Sequence, residues 1–146
     1  MELKRKERVL VVHHNSAIAE AEAASLRRLG YDVELCAGPA RSACPVMRGD
    51  RCAAVERADV LVYDVWATTE SDGGRHLIEG LRELYPDTPV VLTAPGLLLN
   101  WVETEGIHKV TPLEGVPTAA RLDAAIRQAL SEAGELSAAG PRDRRS

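Results

Sequence analysis

The chain has 146 residues, a net charge of −4 and a 45% hydrophobic content that includes two tryptophans and three tyrosines but no phenylalanine. That length suits one domain with its own core, which has to be aliphatic. The acidic balance removes any electrostatic case for a nucleic-acid partner. The basic runs Lys4-Arg5-Lys6 and Arg142, Arg144, Arg145 read as solvated tails. No apolar stretch approaches the ~20 residues of a membrane span, and residues 9–12 are too short for a secretory leader, so a cytoplasmic protein without membrane contact is expected.

Residues 8–12 (RVLVV) form a β-branched run without polar alternation, as in a strand buried on both faces of a parallel sheet. His13, His14, Asn15 and Ser16 follow, and Asn15 or Ser16 can cap the next helix. A helix is expected over 17–29, with Ile18, Ala21 and Leu29 on one face, Leu26 on its shoulder and Gly30 as the stop. Residues 31–36 read as a second strand. The rhythm then breaks at Gly38-Pro39, Cys44-Pro45 and Gly49-Asp50, and only 51–57 looks helical. Residues 59–64 form a third buried strand that ends on Asp64.

After a polar loop, Leu77, Ile78, Leu81, Leu84 and Tyr85 mark one face of a helix. Residues 90–93 are a fourth strand ending on Thr93, 94–105 hold at most a short helix, and 107–111 are a weak fifth strand. Thr118 can cap a last helix with Leu122, Ala125, Ile126, Ala129 and Leu130 on its apolar face. Beyond Gly134 the composition turns to Ala, Gly, Pro, Arg and Ser, so the folded domain is expected over 1–133 and a disordered tail over 134–146. Strands alternating with helices argue a parallel sheet covered on both faces. Ligands in such sheets sit at the carboxyl ends of the strands, which here carry His13 and His14, Asp64, Thr93 and Thr111.

This order of elements, with these residues at the strand ends, resembles the receiver domain of bacterial response regulators over about 8–130. The resemblance implies an α/β, flavodoxin-like three-layer domain with a five-stranded parallel sheet of order 2-1-3-4-5. Asp64 falls on the family's phosphoacceptor position, Thr93-Ala94 on its Thr or Ser followed by a small residue, and Thr111-Pro112 on its Lys-Pro. In the family these residues surround a divalent cation and stabilise an acyl phosphate. Here the acidic pair that holds magnesium is His13-His14, and the lysine that grips the phosphoryl group is Thr111. Imidazole is a poor ligand for magnesium, so magnesium binding is not expected. Lys109, two residues before Thr111, is the one candidate to replace the missing lysine. The chain therefore reads as a degenerate receiver, a pseudo-receiver.

The histidine pair has two readings. With Asp64 it makes a set suited to a softer transition metal; alternatively, one histidine bonds Asp64 and the other faces solvent. Cys36, Cys44 and Cys52 lie in the broken connection between strands two and three. They read either as a three-thiolate site for zinc or an iron–sulfur cluster, or a redox-sensing set, or as small buried residues. No tight C-x-x-C pair is present. Gly-rich phosphate loops, nucleophile elbows and HExxH motifs are absent. Gly73-Gly74 reads as a helix start, and Trp66 and Trp101 as a contact patch or partly buried packing.

The expected function is non-catalytic: a signalling or regulatory module acting through protein contacts, with a homodimer or a partner protein on the face the family forms from its last two helices and last strand. No output domain is evident in the sequence, and no cofactor is assigned with certainty. The alternatives are a metal or redox sensor built on the three cysteines and a still phosphorylatable single-domain regulator in a phosphorelay.

Overall fold

A computed structural model describes residues 6–38, 44–65, 75–94 and 109–139. Five strands, β1 (Arg8–Val12), β2 (Asp32–Cys36), β3 (Val60–Asp64), β4 (Val90–Ala94) and β5 (Val110–Glu114), pair in parallel in the order β2-β1-β3-β4-β5. The helices are α1 (Ser16–Arg28), α2 (Ala53–Arg57), α3 (Arg75–Leu84) and α4 (Ala119–Ala139), with a 3-10 turn at Val46–Arg48. This is the flavodoxin-like order expected.

Successive residues of a strand point to opposite faces, so each apolar run feeds two cores. Val9, Val11, Val60, Val62, Val91 and Leu113 face α1 and α4, where Ala23, Leu26, Leu122 and Ile126 meet them. Leu10, Val12, Leu61, Tyr63 and Leu92 face the other way, onto Val46, Val55, Leu77, Ile78 and Leu81. The apolar faces expected of α3 and α4 are the buried ones.

Local chemistry sets the ends of α1. The Asn15 side chain accepts from the Ile18 amide at 3.1 Å, satisfying one of the helix's orphan donors. At the other end Gly30 takes φ +101°, while the Gly30 and Tyr31 amides donate to the carbonyls of Arg27 and Leu26. That is a Schellman ending, where the left-handed residue is best a glycine. The face of α1 differs from expectation. Ala19, Glu22, Ala23 and Leu26 are buried, whereas Ile18 is 46% and Leu29 47% exposed. The i, i+3, i+4, i+7 stripe is there, but it includes an acid and leaves out the isoleucine.

Two other boundaries move. The fifth strand runs over Val110–Glu114, three residues later than expected, and includes Pro112. The last helix continues past Gly134 to Ala139, because Glu, Leu and Ala on either side are good enough helix formers to carry one glycine. The expectations for 94–105 and for Gly73-Gly74, Trp66 and Trp101 fall outside the described residues, apart from Ala94. Among the described residues no helix is long and apolar enough to cross a membrane.

Candidate functional site

The carboxyl edge of the sheet gathers four polar side chains on the α1 and α4 face. Register places Asp64 of β3 level with Thr93 of β4. The Thr93 hydroxyl donates to Asp64 Oδ2 at 3.1 Å. His13, one residue past β1, brings Nε2 to 3.5 Å from the same oxygen. Its Nδ1 accepts from the Asn15 amide at 3.0 Å, so the proton of the neutral ring sits on Nε2, the nitrogen nearer the carboxylate. All three are buried: Asp64 is 3%, Thr93 1% and His13 6% exposed. His14 stacks on His13 with ring centroids 5.1 Å apart.

The fourth member is Glu22, from the second turn of α1, and it is 8% exposed. Burial, and then the negative charge of Asp64, push its carboxyl up to about 7, since both disfavour a second buried anion. Burial pushes His13 below the usual imidazole value; Asp64 opposes that and His14 adds to it. Sequence reasoning missed Glu22, although the 19, 22, 23, 26 spacing on an Ala-rich helix marks it as the one acid on the buried stripe.

Two expected pocket residues lie elsewhere. Thr111 pairs level with Val91, two residues short of the edge, and the residue level with Thr93 is Leu113. Lys109 stands at the opposite, amino edge of the sheet, where its carbonyl accepts from the Val90 amide. At ~3.3 Å per residue it lies roughly 13 Å further down the strands than Asp64. Its ammonium contacts Asp87 Oδ1 at 3.2 Å. Lys109 therefore cannot serve Asp64, and the late start of β5 is the reason.

Among the described residues the pocket presents no ligand set for a metal ion. The end of β1 offers imidazoles in place of carboxylate oxygens, one His13 nitrogen accepts a backbone amide, and the other carries a hydrogen. Among the described residues no group of three His, Cys, Asp or Glu side chains could hold a metal ion. His13 Nε2 lies near Asp64, and His14 is half-buried against the His13 ring rather than turned to solvent.

Cys36, Cys44 and Cys52 are half-buried free thiols packed against the α3-side core. Burial raises the Cys36 thiol above its ordinary value, which lowers its reactivity. The segment around Cys52 is held by Tyr85: the Cys52 amide donates to its hydroxyl at 2.7 Å, and that hydroxyl donates to Glu56 at 2.7 Å.

No family model and no curated protein matches the chain. Solved structures do. A response-regulator receiver domain protein from Clostridium thermocellum superposes with a TM-score of 0.70 at 17% identity, covering 89% of this chain and 98% of that one. A CheY-like receiver domain protein from Methanospirillum hungatei JF-1 gives 0.68 at 19%, covering 90% and 98%. NtrX from Brucella abortus gives 0.69 at 22%, covering 96% of this chain but 30% of the longer one. With its β2-β1-β3-β4-β5 sheet and these superpositions, this chain has the fold of a response-regulator receiver domain.

Proposed function

We propose that the chain is a receiver-like signalling module that works through protein contacts and whose pocket no longer accepts a phosphoryl group. The observation that carries this reading is the state of Asp64. Its carboxylate is buried, accepts a hydrogen bond from the Thr93 hydroxyl and lies 3.5 Å from His13 Nε2. An acyl phosphate needs preorganised positive charge where its oxygens lie. Lys109 is at the far edge of the sheet, and a leucine stands level with Thr93. The protein contacts are assigned to a homodimer or a partner protein, as in a module that signals by shape rather than by turnover.

The test is incubation with a small phosphodonor and magnesium, followed by intact-mass measurement. Asp64 is expected to stay unmodified. A one-phosphoryl adduct that disappears in Asp64→Asn would overturn the reading and restore a phosphorylatable regulator.

A further inference from the structure

We infer that the outward face of α1 is the contact surface for a second copy of this chain, with the two α1 helices running antiparallel across a two-fold axis. The inference rests on the reading of the chain as a module that works through protein contacts, and it names the face and the partner.

The exposed side chains of α1 carry it. The large apolar side chains exposed among the described residues are Ile18, Leu29 and Val116, and the first two belong to this helix and its cap, at 46% and 47% exposure. With 3.6 residues per turn, Ile18 and Leu29 stand about 20° apart around the axis and roughly 16 Å apart along it, on one flank of the exposed face. Glu20 and Arg27 are exposed as well. They also stand about 20° apart, on the opposite flank, and about 10 Å apart along the helix. Both pairs share one midpoint, between Ala23 and Ala24. A two-fold axis at that level therefore sets Ile18 against Leu29 of the second copy and Glu20 against Arg27 of the second copy in a single arrangement, each contact made twice. An interface across a two-fold needs this kind of self-complementary patch.

Charge selects the direction of the pair. α1 carries Glu20 in its first half and Arg27 and Arg28 in its last turn. Parallel helices would bring like charges level, whereas antiparallel ones bring acid to base, and such matching fixes register. Arg27 Nη2 donates to the Val33 carbonyl at 2.9 Å and Arg28 Nη2 to the Ser25 hydroxyl at 3.2 Å. Both acceptors are uncharged, so they hold the guanidinium groups without cancelling their charge. The C-terminal end of α1 also offers a receptacle. Leu29, Tyr31 and Leu130 wall a recess there, with Glu7 and Arg127 in its lining, and the same two-fold brings Ile18 of the second copy to it. Around the midpoint the outward positions are Ala21 and Ala24, both exposed, so no long side chain holds the two helices apart.

The experiment is sedimentation equilibrium of the full chain, with an NMR dilution series beside it, from about 1 μM to about 1 mM. A monomer–dimer equilibrium is expected, and the amides whose shifts follow concentration should centre on α1. Glu20→Arg turns two attractive contacts into two repulsive ones, and Ile18→Asp places a charge in the apolar contact; each should raise the dimer Kd at least about tenfold. Exchanging the pair, in Glu20→Arg with Arg27→Glu, should restore association. The dilution series uses the unaltered chain, so it stands even if a variant folds poorly. A chain that stays monomeric throughout, or a dimer whose Kd ignores Glu20→Arg and Ile18→Asp, would overturn the α1 surface. A dimer whose concentration-dependent amides lie off α1 would also overturn it, while leaving the protein-contact reading in place. An adduct on Asp64 in the phosphodonor assay sinks the reading of the pocket whatever the assembly state.

Discussion

At the scale of single residues, buried polar groups carry most of the specific energy. Thr93→Val keeps the shape of the side chain but removes the hydroxyl that donates to Asp64. Leaving a buried carboxylate one partner short is expected to cost about 1–3 kcal/mol, read as a lower denaturant midpoint at unchanged slope. Cys36 gives a kinetic prediction. Its raised thiol should be alkylated by iodoacetamide at neutral pH at least about tenfold more slowly than in the unfolded chain, since the thiolate is the nucleophile. Equal rates in the folded and unfolded protein would show that the thiol is neither shielded nor shifted.

At the scale of elements, the fit of α3 against the 3-10 turn Val46–Arg48 depends on Gly80. A Cβ at that position would come within 3.2 Å of Val46 Cγ1 and 3.3 Å of the Val46 carbonyl oxygen. Gly80→Ala therefore sets a helix-propensity gain of about 1 kcal/mol against an overpacking cost of about 1–3 kcal/mol. Because one neighbour is backbone, a net loss is expected, measured by denaturant unfolding. The same scale shows what the residues announced. β1, β3 and β4 were legible because uninterrupted Val and Leu runs have few alternatives to a doubly covered strand. β5 was expected over 107–111 on a weak apolar pattern and lies at Val110–Glu114, with Pro112 inside an edge strand. The face of α1 was rotated because apolar residues were sought, and Ile18 was taken over a stripe containing Glu22. His13, Asp64 and Thr93 could be placed because strand ends locate themselves once the strands are known. Glu22 could not be placed, since its role depends on a helix face and on the distant Asp64 together.

At the scale of the whole molecule, two buried groups act on stability against pH in opposite senses. His13 is shifted downward, so the stability its neutral form contributes is present above the ordinary imidazole value of about 6.5 and is lost as pH falls towards its lower folded value. Glu22 acts in the opposite sense on the alkaline side. His13→Gln is accordingly expected to flatten the acid limb of a Tm-against-pH curve while leaving the alkaline limb in place; an unchanged acid limb would assign that limb to other groups. The sheet ends on β2 and β5. Because the Val90 amide bonds the Lys109 carbonyl, the alternation of a parallel ladder turns the Thr111 and Leu113 amides toward β4 and the Pro112 nitrogen outward. That outward position carries no hydrogen, so a further strand pairing on the β5 side would lack a ladder hydrogen bond there. On the β2 side, Asp32 and Glu34 are engaged by Arg8 and Arg57, and charge on an edge strand discourages lateral growth. With these features along both margins, addition of a further strand at either end of the sheet is disfavoured.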